Sequence, residues 1–447
     1  MTEPNVSVAI LSNNEILFEL YGDFKCSCNQ KICSGKYKAK YENGTIFLTN
    51  SKETFTIENN TEFTSLNPDF DTFLLKGVLI GKDFHWEKKE NQRFQGSLKF
   101  LIENETLTAV NIIPVEKYLT SVISSEMNAS SSHELLKAHS IISRSWLLAQ
   151  MDKNKIIGQK EDVYTSQIQN EDELIKWYDK EDHVLYDVCA DDHCQRYQGI
   201  TKLVAHNAQA AVKATRGMVL KYDDKICDTR FSKSCGGVSE SFENVWEPVI
   251  HPYLQKIVDY KYAPEEFDLD LRKESAADKW IRSNPPAYCN TTDEKILQQV
   301  LVDYDQSTTD FYRWKVEYSQ KEITDIIRKK SGIDFGDILD LVPVERGYSG
   351  RLIKLKIIGS KKTLIIGKEL EIRKILSTSH LYSSAFVVDK ETFVNGVPQK
   401  FILTGAGWGH GVGLCQIGAA VMGELGFSFD VILLHYFKDA VIKRIYE

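Results

Sequence analysis

A glycine-dense segment near the end of the chain carries residue types that could contact a sugar. It runs from Gly405 to Gly418 (GAGWGHGVGLCQIG), and six of these fourteen residues are glycine. Alternating glycines let a backbone approach a ligand or a neighbouring strand closely. If the segment is extended, Trp408 and His410 project on the same side and present an aromatic face beside an imidazole. Glycine density alone is equally consistent with a tight structural turn that places Trp408 in the core.

A glycine pair flanked by small hydroxyls forms a second candidate site, in residues 231–240 (FSKSCGGVSE). The hydroxyls could line a groove and offer hydrogen bonds to a polar ligand. Taken alone, however, the pattern favours a hairpin turn.

A histidine and two cysteines in residues 183–197 (HVLYDVCADDHCQRY) could bind a metal. Four residues separate Cys189 from Cys194, a spacing that zinc ligands tolerate, and His183 or His193 could be a third ligand. We favour His183, because adjacent residues such as His193 and Cys194 seldom both reach one ion. A Cys189–Cys194 disulfide and two free thiols remain alternatives.

The nine cysteines of the chain, an odd number, do not form a complete disulfide framework. A group near the N-terminus has no histidine nearby and is assigned to free or buried thiols, and the remaining four are spread along the chain. The first group is Cys26, Cys28 and Cys33, and the dispersed cysteines are Cys227, Cys235, Cys289 and Cys415.

Two neighbouring helices are predicted in residues 114–149. Pro114 suits the first helical position, and an apolar face follows at spacings of three and four: Val115, Tyr118, Leu119 and Val122. Ser131 and Glu134 form a capping box for the second helix. Its inner face is Leu135, Ala138, Ile142, Ser145 and Ala149. Glu126 falls in the short connection between the helices.

The rest of the chain predicts a mixed architecture. The first hundred residues consist of short β-rich runs, with a two-residue hairpin at Asn43-Gly44 and another turn at Asn104-Glu105. A helix over 203–215 precedes a hairpin about Asp223-Asp224. Residues 262–310 are acidic and form an insertion on the main body. Short strands and a helix (323–331) alternate from 313 to 388, and a final helix begins near Phe429.

Four segments occur in order and together strongly resemble the SpoIID family (stage II sporulation protein D, related to LytB-type amidase enhancers). They are Asn111–Met127, Glu134–Trp146, Ser234–Gly237 and Gly407–Gln416. The resemblance runs from about Phe94 to the C-terminus, interrupted by 262–310. It implies an α+β, β-rich SpoIID-like fold with a few helices around an active-site groove. We therefore predict an N-terminal β-rich region over 1–93 and a SpoIID-like domain over 94–447.

The resemblance implies a lytic transglycosylase that cleaves peptide-stripped peptidoglycan glycan strands and leaves 1,6-anhydro-muramyl ends. The family's catalytic glutamate falls on Glu126, although Asn128 stands where the family usually has proline. One carboxyl can suffice, because the sugar's own 6-hydroxyl is the nucleophile and the same group first donates and then accepts a proton. Partial burial favours the protonated form that the first step needs. Without the resemblance, Glu126 is most simply a solvated surface carboxylate.

The same resemblance implies the residues that surround the substrate and a metal. The predicted substrate-binding residues are Lys137, Arg144, Ser234, Gly236, Trp408, His410 and Gln416. Zinc held by His183, Cys189 and Cys194 is expected to be structural or to orient the substrate. The alternative function is a non-catalytic cell-wall-binding or amidase-enhancing protein, with a cell-wall amidase as partner. A cytoplasmic sugar-binding protein is a third possibility.

Composition and charge exclude several other classes of protein. The chain has 447 residues, 42% of them apolar and 26% charged, as is usual for a globular protein. Its net charge of −8 argues against a nucleic-acid binder that works by counterion release. No apolar run approaches the ~20 residues of a membrane-spanning helix. The first residues lack a secretory signal, so the protein either stays inside or has lost a leader, whereas the family implies the cell envelope.

Overall fold

The computed structural model describes residues 2–81, 87–128, 130–157, 167–177, 183–191, 194–201, 206–301 and 308–447, apart from the side chains of 154–157. The chain forms two compact units. Unit 1 comprises Met1–Lys160, Asp182–Leu220 and Ile442–Glu447, and unit 2 comprises Glu161–Glu181 and Lys221–Val441. Residues 94–160 therefore belong with the N-terminal strands. His193, the alternative metal ligand, lies outside the described residues.

The strands within the described ranges begin with a long β-rich stretch and continue along the whole chain. They are β1 (Asn5–Asn13), β2 (Glu15–Cys26), β3 (Ile32–Glu42), β4 (Thr45–Thr49), β5 (Thr54–Ile57), β6 (Glu62–Ser65), β7 (Thr72–Ile80), β8 (Lys88–Phe94), β9 (Ser97–Glu103), β10 (Thr106–Pro114), β11 (Gln167–Gln169), β12 (Glu173–Lys176), β13 (Val188–Cys189), β14 (Met218–Tyr222), β15 (Lys225–Ile226), β16 (Phe231–Ser232), β17 (Arg313–Ser319), β18 (Ile338–Arg346), β19 (Leu352–Gly359), β20 (Thr363–Gly367), β21 (Phe386–Val394), β22 (Val397–Ala406), β23 (Leu414–Cys415) and β24 (Val441–Arg444).

The helices of the described residues fall between these strands. They are α1 (Val115–Glu126), α2 (His133–Ile157), α3 (His206–Ala214), α4 (Glu274–Arg282), α5 (Glu294–Val300), α6 (Gln320–Ser331), α7 (Glu369–Ile375), α8 (Gln416–Glu424) and α9 (Phe429–Tyr436), with a short 3-10 helix at Phe242–Asn244. The predicted α+β, β-rich fold class is confirmed. None of these helices is both long and apolar enough to cross a membrane.

Unit 1 is built on one large, mostly antiparallel sheet that contains β1 to β10 and β13. Its hairpins follow the predicted turn chemistry: Glu42 pairs with Thr45 across Asn43-Gly44, whose φ angles are +49° and +82°. Glu103 and Thr106 pair in the same way across Asn104-Glu105. Positive φ at both central residues matches the twist of the flanking strands, and asparagine and glycine tolerate it best. The predicted all-β opening is confirmed.

The helix pair of unit 1 exists, but its boundaries differ from the prediction. Pro114 caps α1 rather than starting it, and Glu126 is the last residue of α1 rather than part of a connection. The capping box predicted at Ser131 is wrong: Ser132 precedes α2 and accepts the N–H of Leu135 at 3.3 Å. The hydroxyl of Ser131 instead donates to the carbonyl oxygen of Asn128 at 2.7 Å.

Unit 2 contains a sheet in the order β11-β12-β20-β19-β18 and a second sheet in the order β17-β22-β21. Helices α6 and α7 pack on them and close an apolar core that includes Trp314, Ile327, Leu355 and Phe401. The predicted hairpin about Asp223-Asp224 is confirmed by the pairing of Tyr222 with Lys225. The final helix begins at Phe429 as predicted, whereas α8 was not predicted.

The 262–310 segment, predicted as an insertion on the main body, contributes helices α4 and α5 to the core of unit 2. Trp280 on α4 is 1% exposed, and its indole N–H donates to the carbonyl oxygen of Gly236 at 3.2 Å. Arg282 forms a bidentate pair with Asp389 at 2.8 Å for each contact. The described part of this segment is therefore integral to unit 2.

Candidate functional site

The C-terminal end of α1 presents the predicted catalytic carboxyl. The buried face of this helix (Tyr118, Leu119, Val122 and Ile123) fixes it in the core, so its last residue, Glu126, reaches the surface of unit 1 half-buried. The Oε1 atom of Glu126 accepts the backbone N–H of Arg196 at 3.1 Å. A backbone N–H restrains this oxygen, because main-chain atoms are less free to move than side chains.

The loop that carries Arg196 is itself anchored on the core of unit 1. Tyr197 stacks on Tyr118 of α1 with ring centroids 4.9 Å apart, and its hydroxyl donates to Asn111 Oδ1 at 2.6 Å. The side-chain amide of Gln195 donates to the carbonyl oxygen of Ser143 at 3.3 Å. Residues on both sides of Arg196 are thus fixed, and the N–H that holds Glu126 is preorganised. No sequence pattern pointed to Arg196.

The predicted histidine and cysteines converge beside this loop. The Nε2 atom of His183 lies 3.5 Å from the Sγ atom of Cys194, and the N–H of Cys189 donates to the same sulfur at 3.4 Å. The possible ligand atoms of all three residues lie within 4.8 Å of one another, and all three residues are partly exposed. We call this set the His/Cys cluster.

The donor set of the His/Cys cluster fits a zinc ion. Zn–S near 2.3 Å and Zn–N near 2.0 Å in a tetrahedron place sulfur and nitrogen about 3.5 Å apart, which is the separation of the Cys194 sulfur and the His183 nitrogen. Three protein ligands at a partly exposed position leave a fourth position for another ligand. Cys194 precedes Arg196 by two residues, so the cluster and the Glu126 contact share one loop.

Two further predicted residues of unit 1 have partners within the protein. Arg144 is 0% exposed, and its guanidinium forms a bidentate pair with Glu116 at 2.9 and 2.7 Å. It also donates to the carbonyl oxygen of Met218 at 3.0 Å. Arg144 is therefore enclosed and holds α1 and α2 together, which corrects its predicted place in the groove. Lys137 is partly exposed and pairs with Glu134 at 2.7 Å.

In unit 2, the structure brings together the two glycine-containing segments. Ser234 and Trp408 form an antiparallel bridge in which each N–H donates to the other's carbonyl oxygen, at 3.0 and 2.8 Å. Gly236 has φ +79°, and a Cβ there would lie 2.9 Å from the nitrogen of Gly407. Ser234 and Gly236 are buried, so they support the neighbouring segment rather than lining a groove as predicted.

A buried arginine explains the glycine density. Arg351 is 1% exposed and donates to the carbonyl oxygens of Gly409 and Cys235, each at 3.1 Å. A Cβ at Gly411 would lie 2.4 Å from the guanidinium carbon of Arg351, and its φ is +77°. The segment wraps around this cation, and glycine is needed where the backbone passes closest. No sequence pattern singled out Arg351, because its partners are carbonyl oxygens far along the chain.

The two side chains expected on one side of this segment have different surroundings, because the segment is not an extended strand. Trp408 is partly exposed and packs on Tyr382 and Phe311, with ring centroids 4.2 and 4.7 Å away. His410 meets the ring of Trp246 edge-on at 4.6 Å. Positive φ angles at alternate glycines turn the backbone between them.

His410 is held as a neutral imidazole. Desolvation of the imidazole ring, aided by the charges of Arg230, Arg373 and Arg351, keeps the pKa of His410 well below the usual 6.5. The N–H of Val412 donates to its Nδ1 atom at 3.0 Å, so the ring proton resides on Nε2. The Nε2 N–H is the imidazole's one donor, and a backbone hydrogen bond to Phe231 uses it. Gln416, the first residue of α8, is 3% exposed and so does not line a groove.

The predicted site residues are thus divided between the two units. Glu126, Lys137, Arg144 and the His/Cys cluster lie in unit 1, and Ser234, Gly236, Trp408, His410 and Gln416 lie in unit 2. Of the predicted substrate-binding residues, Lys137, Trp408 and His410 are partly exposed.

Two family models match the chain. The model described as stage II sporulation protein (SpoIID) matches residues 103–222, which include Glu126, Arg144 and the His/Cys cluster. A domain of unknown function, DUF8618, matches residues 240–413 of unit 2. The SpoIID match ends at residue 222, whereas the resemblance described from the sequence motifs extends to the C-terminus.

Three relatives illustrate the range of similar proteins. An uncharacterized protein of Brachyspira hyodysenteriae is 23% identical over 441 residues, 98% of this chain and 95% of that protein. Stage II sporulation protein D of Bacillus amyloliquefaciens is 23% identical over 336 residues, 75% of this chain and 76% of that protein. The amidase enhancer of Bacillus subtilis is 26% identical over 251 residues, 53% of this chain and 32% of that protein.

Proposed function

Because this chain belongs, through residues 103–222, to the stage II sporulation protein (SpoIID) family, we propose that it is a cell-wall enzyme, a lytic transglycosylase of peptidoglycan glycan strands. Its substrate is a glycan chain stripped of stem peptides, and its product carries a 1,6-anhydro-muramyl end. The observation that carries the proposal is the half-buried Glu126 carboxyl, positioned by the N–H of Arg196 next to the His/Cys cluster.

Glu126 acts first as an acid and then as a base. Its Oε1 atom is occupied by the N–H of Arg196, which leaves Oε2 to carry the proton. That proton passes to the glycosidic oxygen as the bond from this oxygen to the sugar C1 atom breaks. The carboxylate then takes the proton of the 6-hydroxyl while O6 bonds to C1. No water is consumed, so one carboxyl completes the reaction.

The His/Cys cluster holds one zinc ion in this proposal, with His183, Cys189 and Cys194 as ligands. A bound zinc ion supplies a fixed positive centre with an open coordination position. The ligands themselves fix the loop that ends in Arg196, and this loop orients Glu126. The protein residues therefore provide the positioning, and the proton transfer belongs to Glu126.

Trp408 and His410 provide glycan binding in unit 2. The partly exposed indole of Trp408, rigidified by Tyr382 and Phe311, offers an apolar face to a sugar ring. His410 stays neutral and, being partly exposed, is a second candidate contact for the glycan in unit 2. Lys137 is a further candidate contact because its side chain is partly exposed.

The test incubates the full chain with peptide-free glycan strands and detects anhydro-ended fragments by mass spectrometry. We expect Glu126→Gln to reduce fragment release about a hundredfold or more, in line with the loss of a general acid and base. Glu58→Gln, which alters an exposed carboxyl elsewhere on unit 1, serves as the matched control and retains activity. Equal release by wild type and Glu126→Gln would remove Glu126 from the mechanism. Reducing ends would indicate hydrolysis instead.

The similarity to the amidase enhancer favours a second candidate function, the non-catalytic enhancement of a cell-wall amidase. In that case the chain binds glycan and raises the activity of an added amidase, and Glu126→Gln behaves like wild type in both assays. Both functions require a position in the cell envelope. Cell fractionation separates them from a cytoplasmic sugar-binding role.

A further inference from the structure

Four buried side chains of unit 2 converge although they come from distant parts of the chain. Cys235 lies in the turn after β16, Asp259 follows the 3-10 helix, Cys289 lies between α4 and α5, and Cys415 ends β23. Each is at most 2% exposed, and their possible ligand atoms all lie within 4.8 Å of one another. We propose that these residues, here called the Cys/Asp cluster, hold one structural zinc ion.

The separations within the Cys/Asp cluster are those of a tetrahedral zinc site. Zn–S near 2.3 Å and Zn–O near 2.0 Å place two sulfurs about 3.8 Å apart and a sulfur and an oxygen about 3.5 Å apart. The sulfurs of Cys235 and Cys289 are 3.7 Å apart, and the Cys235 sulfur lies 3.4 Å from Asp259 Oδ2. A disulfide would need sulfurs about 2.05 Å apart.

The surroundings orient the ligands toward a common centre. Asp259 directs Oδ2 at the sulfurs and accepts the hydroxyl of Tyr436 on Oδ1 at 2.7 Å, which leaves the carboxylate suited to bind through one oxygen. The N–H of Cys235 donates to the sulfur of Cys415 at 3.3 Å, and such a hydrogen bond stabilises a thiolate. Hydrogen bonds of this kind around a metal fix the ligands and tune their charge.

A bound cation also balances the negative charge of the carboxylate and the thiolates in the Cys/Asp cluster. Asp259 is 0% exposed and the three cysteines are each at most 2% exposed, so burial disfavours a charged carboxylate and thiolates that have no cation beside them. Buried carboxylates and thiolates are stable when they coordinate a metal, which neutralises their charge. Zinc binding releases the thiol protons to solvent, and the ion takes their place.

The donor set and its enclosure favour zinc in a structural role. Three thiolates and one carboxylate in a tetrahedron match zinc, and four protein ligands without exposure to water leave no open position for substrate. The ion joins the turn before Gly236, the 262–310 segment and the end of the glycine-dense segment, through Cys235, Cys289 and Cys415. It thereby supports the backbone that carries Trp408 and His410.

The decisive experiment measures zinc in the full chain carrying Cys189→Ser and Cys194→Ser, which removes the His/Cys cluster. Purified without chelators, this chain is expected to retain about one zinc ion by plasma mass spectrometry. Adding Cys289→Ser lowers its zinc content about fivefold or more. Adding Cys227→Ser, which changes a buried cysteine of unit 2 outside the cluster, leaves the zinc content unchanged.

A measurement on the intact cluster covers the case in which the Cys289→Ser chain does not fold. Cobalt(II), loaded into the Cys189→Ser/Cys194→Ser chain, is expected to show the thiolate-to-cobalt band and the intense visible bands of a tetrahedral site. Absence of the thiolate band overturns the proposal. A Cys189→Ser/Cys194→Ser chain that contains no zinc also overturns it, and so does a folded chain with the added Cys289→Ser substitution that retains its zinc. A Cys235–Cys289 disulfide, detected as the loss of two hydrogens in the unreduced intact mass, also overturns it.

Discussion

The two candidate metal-binding clusters of the described residues differ in sequence span and in burial. The His/Cys cluster of unit 1 spans twelve residues of sequence, from His183 to Cys194, and its members are partly exposed. The Cys/Asp cluster of unit 2 joins residues as far apart as Cys235 and Cys415, 180 positions away, and is buried. A short, exposed set suits a site that positions a functional loop. A buried set drawn from distant segments suits a site that stabilises the fold.

The largest expected effect on stability tests whether the Cys/Asp cluster stabilises the fold more than the His/Cys cluster does. With zinc bound, Cys415→Ser is expected to lower the free energy of unfolding by about 4 kcal/mol or more, because it removes a ligand that ties distant segments together. Cys194→Ser should lower it by about 1 kcal/mol, since its cluster lies in one partly exposed loop. Urea denaturation followed by tryptophan fluorescence measures both. If Cys227→Ser were as damaging as Cys415→Ser, burial of a thiol rather than metal binding would explain the loss.

The second prediction concerns the buried ion pair between Glu116 and Arg144, which joins α1 and α2 in unit 1. We expect the Glu116→Gln substitution to lower the free energy of unfolding by about 3 kcal/mol at neutral pH, because it leaves the buried guanidinium of Arg144 without its counter-charge. Thermal and urea denaturation provide the measurement, with Glu58→Gln as the exposed control. A loss no greater than that of the control would mean that the Glu116–Arg144 pair does not hold the helices.

The same variant has a defined pH dependence. Burial alone would raise the pKa of Glu116, but the hydrogen bonds and charge of Arg144, with Tyr446 and the N–H of Gly217, outweigh it and hold the pKa below 4.5. A lowered native pKa contributes stability that is present above pH 4.5 and lost as the pH falls through the native value. The difference between wild type and Glu116→Gln should therefore shrink on acidification below about pH 4.5. A difference that stays constant to pH 2 would contradict this origin.

A third prediction separates binding in unit 2 from chemistry in unit 1. Trp408→Ala should weaken glycan binding about tenfold, through loss of the aromatic face. Trp408→Phe should recover part of the affinity. Glu126→Gln should leave glycan binding unchanged while lowering turnover about a hundredfold or more. Isothermal titration with peptide-free glycan gives the affinities, and unchanged binding by Trp408→Ala would exclude this residue from the binding surface.

The smallest expected change concerns the His/Cys cluster alone. A chelator at neutral pH should remove zinc from the His/Cys cluster at least about tenfold faster than from the Cys/Asp cluster, since access to a buried site requires local unfolding. The unfolding free energy should change by about 1 kcal/mol or less at this stage. Added zinc should restore the glycan-cleaving activity that is lost with the ion. Loss of both ions at one rate would show that the two clusters are equally accessible.

Local signals in the sequence predicted much of the fold. Turn chemistry at Asn43-Gly44 and Asn104-Glu105 placed two hairpins correctly, because positive φ restricts the residues that a two-residue loop accepts. The boundaries of α1 and α2 were less accurate. Ser131 and Ser132 have equal capping ability, and only the path of the chain from Asn128 decides which serine accepts an N–H of the helix.

The candidate site was predicted in part. His183, Cys189 and Cys194 could be grouped from spacing, and the structure brings them within 4.8 Å of one another. Arg144 was predicted to contact substrate, but burial against Glu116 assigns it to the core. A single sequence gives the charge of an arginine but not whether the fold encloses it.

By itself the sequence determined the features that depend on near neighbours: the β-rich opening, the hairpin turns, the pair of helices in residues 114–149 and the short His/Cys cluster. Only the tertiary structure decided that Arg351 lies beneath the glycine-dense segment and that Cys235, Asp259, Cys289 and Cys415 meet. The physical reason is that backbone dihedral preferences act over a few residues, whereas enclosure and coordination depend on which distant segments share one core.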